Sequence, residues 1–135
     1  MKKISMFGVG AWATAIAMLL AKNNASVSMW SYKQSHCDAL NTQHKSPRLP
    51  GVSLSPLITA TTDPQQCLKQ TDLIAICMPS QYMFDTVKRI QPFVINQPIL
   101  CLTKGFINHE ALFLSQFFKE MLPQSEYSYL SGPNL

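Results

Sequence analysis

The stretch "MFGVGAWATAIAMLLA", residues 6–21, places two glycines two positions apart, directly before an alanine-rich segment. The residues that lead into the glycines form an apolar run of strand length, and those that follow repeat apolar side chains at helical spacing. The stretch therefore predicts a strand, a tight turn and a helix in immediate succession. In that arrangement the N–H groups at the start of the helix meet the end of the strand and can bind an anion.

The turn itself, residues 8–13, reads G-x-G-x-x-A. Gly8 allows the tight turn, Gly10 removes a side chain where a backbone approaches a pyrophosphate, and Ala13 is small enough for the helix to pack on the strand. We therefore interpret the turn as a dinucleotide-binding turn. The letters alone also leave open a glycine-rich turn with no ligand.

The second strand region, "VSMWSYKQ", ends in Ser31, Tyr32 and Lys33 and lacks an acidic residue. An acid at that position usually binds the ribose 2′-hydroxyl of NAD, whereas a cation accommodates the 2′-phosphate of NADP. The sequence thus indicates NADP or NAD as cofactor and slightly favours NADP. A solvated lysine is the alternative for Lys33.

Strand-length apolar runs alternate with helical patterns along the whole chain, which predicts an α/β fold. We expect a Rossmann-type doubly wound, mostly parallel sheet in a single domain over residues 1–135. The segment "TQHKSPRLPGVSLSP" is expected to be an irregular loop. Asp63 and Pro64 open a short helix through Gln70, and "HEALFLSQFFKEML", residues 109–122, predicts another helix.

The composition indicates which classes of protein this chain can belong to: 47% of the residues are apolar and 13% are charged. That balance predicts a globular, cytoplasmic protein with no membrane span, and glycines within the first apolar run argue against a signal peptide. The net charge of +4 is scattered without aromatic interleaving and does not favour nucleic-acid binding. The four cysteines lack metal-ligand spacing, so we expect buried reduced thiols and no metal. His36, His44 and His109 are expected at the surface.

Five short motifs, in order, carry a resemblance to a known family: "GVGAWATAIAMLLA", "RLPGVSLSPLITATTD", "MPS" at 78–80, "TKG" at 103–105 and "SGPN" at 131–134. The chain resembles the bacterial NAD(P)-dependent glycerol-3-phosphate dehydrogenases over nearly its whole length. The resemblance implies reduction of dihydroxyacetone phosphate to glycerol 3-phosphate for phospholipid synthesis.

The resemblance also implies roles for individual residues. Ala11 and Trp12 match positions that touch the cofactor, Tyr32 matches one near its adenosine end, and Tyr82 matches an aromatic position in related enzymes. Lys104 matches a lysine that contacts cofactor and substrate, and it follows an apolar strand, at the edge where open α/β sheets bind ligands. Pro79 is expected at the same edge. Gly132 and Asn134 match substrate-contacting positions.

The sequence departs from the family in ways that affect activity. Ala11 and Ala13 replace a serine and a glycine, and Asn134 stands where serine or threonine is usual. The family continues into a helical C-terminal domain that carries the general-base lysine, so we expect no catalytic residue in this chain and negligible turnover. Apolar surface at "ILCL", "FLSQFF" and "YSYL" predicts self-association into a homo-oligomer. A non-catalytic nucleotide-sensing module and a related two-domain dehydrogenase remain the alternatives.

Overall fold

The computed structural model describes residues 1–103, 106–107 and 112–130, and these form eight strands, five α-helices and two short 3₁₀ helices. The strands are β1 (Lys3–Phe7), β2 (Ser26–Trp30), β3 (Ile58–Thr61), β4 (Leu73–Ile76), β5 (Ile99–Cys101), β6 (Phe106–Ile107), β7 (Leu112–Phe113) and β8 (Tyr127–Tyr129). The helices are α1 (Ala11–Lys22), α2 (Gln34–Gln43), α3 (Pro64–Cys67), α4 (Met83–Ile90) and α5 (Leu114–Met121).

Six of the strands form one parallel sheet in the order β3-β2-β1-β4-β5-β8. The chain first builds outward from β1 to β3, then crosses back to β4 and builds in the opposite direction. This order is that of the Rossmann fold and confirms the predicted fold class. The reversal point lies between β1 and β4, where such sheets form their ligand-binding crevice at the carboxyl ends of the strands.

Helices cover both faces of the sheet, so the central strands are apolar on both sides. On one face α1 lays its alanines, among them Ala13 and Ala17, against Met6 and Met29. On the other face α4 and α5 pack on Phe7 and the ends of β4 and β5. The small alanines let α1 approach β1 closely, which fixes the start of α1 at the crevice.

Two helix predictions differ from the structure. The helix expected over residues 109–122 begins at Leu114, because Leu112 and Phe113 pair as β7 with β6 in an antiparallel ladder. The helix expected from Asp63 through Gln70 ends at Cys67, and Gln70 adopts a left-handed φ of 58° that no α-helix continues through. Asp63 does cap α3, since its carboxylate accepts the Gln65 N–H at 3.0 Å.

The surface expected to drive self-association is mostly core. Ile99 and Leu102 are buried in the sheet, and Phe117 and Phe118 are buried under α5. Phe117 and Phe118 face inward because α5 is amphipathic and presents them to the sheet, and Ile99 belongs to the buried strand β5. The expectation of exposed "ILCL" and "FLSQFF" surfaces was therefore wrong, whereas part of "YSYL" is exposed.

The thiols are free and shielded, as predicted: three are buried (Cys37, Cys67, Cys101) and Cys77 is half-buried. Among the described residues no helix is both long and apolar enough to cross a lipid bilayer.

Candidate functional site

Gly8 lies where β1 ends and packs directly against β4. Its φ is +138°, and a Cβ built on it would lie 1.8 Å from the carbonyl oxygen of Cys77. The Cys77 N–H also donates to the Phe7 carbonyl at 2.9 Å, which holds the two strand ends together. No side chain fits at Gly8, so this glycine is required by the packing of β1 on β4.

Gly10 lies two residues later on the open side of the same turn. It is the N-cap of α1 with an ordinary φ of −66°, and a Cβ built there meets nothing within 4 Å. No side chain caps the first turn of this 12-residue helix, and no acidic residue lies in that turn. The start of α1 therefore offers backbone N–H donors and the positive end of the helix dipole beside open space.

The residues around Gly10 divide into a packed set and an exposed set. Ala13 is fully buried, whereas Ala11 is exposed and Trp12 keeps 49% of its surface accessible. The buried Thr14 hydroxyl donates to the Gly10 carbonyl at 2.8 Å and stabilises the turn. Sequence reasoning missed Thr14, although its position four residues after Gly10 allows this bond.

At the carboxyl end of β2, Tyr32 and Lys33 are both exposed. The Lys33 ammonium lies 5.8 Å from the centroid of the Tyr32 ring, and the Lys33 N–H donates to the Ser31 hydroxyl at 3.1 Å. This end of the strand thus carries an exposed ring, a cation and a fixed hydroxyl.

A further basic group lies close to Lys33. Burial lowers the pKa of His36, and the charges of Lys33 and Arg48 lower it further. Lys33 and Arg48 therefore form one positive region beside an imidazole whose lowered pKa favours its neutral form. His36 and His44 are half-buried rather than at the surface, because the irregular loop after α2 returns to this helix, where the Leu54 N–H donates to the His44 carbonyl at 2.8 Å and the Arg48 charge acts on His36. His109 lies outside the described residues.

The carboxyl end of β4 supplies the opposite side of the crevice. Pro79 is exposed three residues after the end of β4. A short 3₁₀ turn over Ser80–Tyr82 then leads into α4, with Tyr82 56% exposed. The buried Thr103, after β5, bonds to both backbone groups of Met78. Sequence reasoning named Thr103 only as part of the "TKG" motif and did not predict these bonds, because the two residues are 25 positions apart.

The structure brings most of the predicted cofactor residues to one edge of the sheet. Those on the turn after β1, at the end of β2 and after β4 all follow the carboxyl end of a parallel strand. Lys104, Gly132 and Asn134 lie outside the described residues.

The thiol nearest the crevice is not reactive. Burial raises the pKa of Cys77 to about 11, and the neighbouring Cys101 contributes to the rise. A thiol with so high a pKa remains protonated at neutral pH and is a poor nucleophile.

An open cavity of about 590 Å³ lies elsewhere, along β3, with Lys3, Ser28, Thr59 and Lys69 among its lining residues. It exists because α3 has only four residues and leaves part of that sheet face uncovered. None of the predicted site residues that the structure describes lines it, so the crevice described above remains the candidate site.

The sequence and the fold of the chain are similar to those of known proteins. Residues 3–135 match the sequence model of the NAD-dependent glycerol-3-phosphate dehydrogenase N-terminus. The chain is 32% identical over 136 residues to the glycerol-3-phosphate dehydrogenase [NAD(P)+] of Agathobacter rectalis, covering 99% of this chain and 40% of the relative. It is 34% identical over 134 residues to that of Acinetobacter baylyi, covering 98% and 38%.

Among solved structures, the glycerol-3-phosphate dehydrogenase of Coxiella burnetii superimposes with a TM-score of 0.91 at 27% identity. The match covers 99% of this chain and 42% of that one. The chain therefore spans about two-fifths of the length of the proteins it resembles.

Proposed function

The chain belongs to the family of NAD-dependent glycerol-3-phosphate dehydrogenases, and on that premise we propose that it binds NADP or NAD across the carboxyl edge of the sheet, as one domain over residues 1–135. The observation that carries the proposal is the open side of the turn. The φ of Gly10 is one that any residue can adopt, so the backbone does not require a glycine there. The absence of a Cβ nevertheless leaves free space at the uncapped start of α1. A pyrophosphate fits that combination of space, N–H donors and helix dipole.

In this proposal different residues of the crevice contact different parts of the cofactor. The start of α1, with Gly8 and Ala13 supporting the turn, receives the pyrophosphate at Gly10, Ala11 and Trp12. Tyr32 and Lys33 receive the adenosine end. Pro79, Tyr82 and Lys104 receive the nicotinamide end, because β4 and β5 lie on the other side of β1 from β2. When bound, NAD(P) supplies hydride transfer to or from a carbonyl carbon.

The cationic end of β2 supports a slight preference for NADP. A 2′-phosphate carries negative charge into a region that holds Lys33, with Arg48 near it, and the described residues include no carboxylate that pairs with Lys33. The ring of Tyr32 offers an apolar surface beside the same cation.

The substrate follows from the family and from the names of the relatives. We propose reduction of dihydroxyacetone phosphate to glycerol 3-phosphate, a step toward phospholipids in the cytoplasm, with Lys104, Gly132 and Asn134 as substrate contacts. The general base that the resemblance implies falls outside residues 1–135, so this chain alone binds cofactor but turns over negligibly. A positioned acid or base contributes about 10² to 10⁴-fold in rate. The active protein is proposed to be a homo-oligomer.

Calorimetric titration of the chain with NADPH and with NADH tests cofactor binding. Saturable binding of at least one cofactor is expected, with NADPH the tighter of the two. A steady-state assay with dihydroxyacetone phosphate and NADPH then tests turnover. Absence of binding contradicts the proposal, and rapid turnover contradicts the absence of a general base.

A further inference from the structure

The Thr103 side chain makes two hydrogen bonds to the backbone of Met78, which lies two residues after the end of β4. Its hydroxyl donates to the Met78 carbonyl at 2.8 Å and accepts the Met78 N–H at 3.0 Å. Thr103 is 5% exposed and Met78 is half-buried, so both bonds are partly shielded from water. Both backbone groups of Met78 are thereby satisfied by a single side chain.

The two Thr103 bonds lie where the parallel hydrogen-bond ladder between β4 and β5 ends. The Leu102 N–H still donates to the Ile76 carbonyl at 2.8 Å, as a regular ladder requires. The next bond of such a ladder would join the Met78 N–H to the Leu102 carbonyl. The Thr103 hydroxyl takes that acceptor's place, so the two strand ends separate at the crevice while remaining bridged.

Beyond Met78 the backbone turns away from the sheet. Pro79 has no N–H, and its carbonyl accepts the Tyr82 N–H at 3.0 Å to start the 3₁₀ turn. The backbone of Met78, held by Thr103, therefore determines the direction in which this turn leaves the sheet. On the other side, the Cys77 N–H is bonded to Phe7, which ties the same segment to the glycine turn.

We infer that Thr103 is a positioning residue for the nicotinamide half of the cofactor site, because its hydroxyl fixes the peptide groups on both sides of Met78, from which the chain continues to Pro79 and Tyr82. The inference rests on the proposed cofactor binding. It concerns one half of the site only, since the adenosine half lies over β1 and β2, which Thr103 does not touch.

Two variants of the chain test the inference. Thr103→Val keeps the branched shape but removes both bonds, and Thr103→Ser keeps the hydroxyl as the matched control. Calorimetry with NADPH and with 2′,5′-ADP, which lacks the nicotinamide half, separates the two ends of the site. We expect Thr103→Val to weaken NADPH binding about tenfold, with less than a twofold change for 2′,5′-ADP, and Thr103→Ser to bind both like the parent.

Equal NADPH affinity in Thr103→Val and the parent would overturn the inference while leaving the proposed function intact. Equal losses for NADPH and 2′,5′-ADP would also overturn it, since they indicate a general structural defect. If the parent binds neither NADPH nor NADH, the proposed function fails and the inference fails with it.

A measurement on the unmodified chain covers the case in which Thr103→Val does not fold. Amide hydrogen exchange at Met78 should slow at least threefold further with saturating NADPH than with saturating 2′,5′-ADP. Only NADPH carries the nicotinamide half, which is proposed to bind beside the Met78 backbone. Equal protection of Met78 by the two ligands would overturn the inference.

Discussion

The two glycines of the turn differ in what surrounds them. Gly8 is on the packed side, with a positive φ and the Cys77 carbonyl in the place of its missing side chain. Gly10 is on the open side, with an ordinary φ and free space in the same place. Protein packing explains the first glycine completely and leaves the second unexplained, so the second is the one that points to a ligand.

The largest effect is expected at the packed glycine. Gly8→Ala brings a methyl group onto the Cys77 carbonyl at a φ that L-residues rarely adopt, so β1 and β4 must move apart. We expect a loss of about 3–5 kcal/mol in the free energy of unfolding. Urea denaturation followed by circular dichroism measures it, and an unchanged midpoint would show that β4 does not constrain this residue.

The next largest effect is expected at alkaline pH, which should destabilise the fold through two thiols, Cys67 in the core and Cys77 beside Gly8. Burial raises the pKa of Cys67 and of Cys77 to about 11, above the ordinary thiol value of 9.0. A raised pKa in the folded chain means that the stability contribution is complete below about pH 9 and is lost as pH rises toward 11. We expect Cys67 to contribute on the order of 2 kcal/mol to this loss.

Urea midpoints at pH 8 and pH 10.5 measure the loss. The double variant Cys67→Ala with Cys77→Ala should show a smaller decline between the two pH values than the parent. An equal decline in both proteins would assign the effect to other groups.

At the open glycine the expected effect is on binding instead of stability. Gly10→Ala adds a methyl group that meets no protein atom, so the free energy of unfolding should change by less than about 1 kcal/mol. The same methyl group occupies the space proposed for the pyrophosphate, and we expect NADPH affinity to fall at least about tenfold. Calorimetry and denaturation on the same preparation measure both. Tight binding by Gly10→Ala would remove the main support for the proposed function.

A smaller effect is expected at the end of β2. Lys33→Ala should weaken NADPH binding about three- to tenfold and NADH binding less than twofold, because the lysine is proposed to meet only the 2′-phosphate. Lys22→Ala, at the far end of α1, makes the same change in net charge and should leave both affinities unchanged. Equal losses for NADPH and NADH in Lys33→Ala would argue against the proposed preference.

Sequence reasoning succeeded where a feature is local. The glycine spacing and the helical period located β1, the turn and α1, and alternating runs gave the parallel sheet. It failed at the start of α5, since Leu112 and Phe113 suit a strand or a helix equally well and their pairing with β6 decided between them.

Hydrogen bonds between a side chain and backbone groups far away in the sequence could not be predicted from the sequence either. Thr103 bonds to Met78, and the Asn41 amide donates to the Ala60 carbonyl at 2.8 Å while accepting the Ala60 N–H at 2.7 Å. Each of these side chains substitutes for a missing strand partner, a role that depends on how the sheet ends rather than on any motif.

The central claim is that the cofactor lies across the open side of the turn, and backbone amide chemical shifts of the labelled chain during titration with NADPH test it most directly. The account predicts that the largest shifts fall on Gly10, Ala11 and Trp12, with smaller ones at Lys33 and Met78. Shifts concentrated along the β3 cavity, around Ser28 and Thr59, would contradict it.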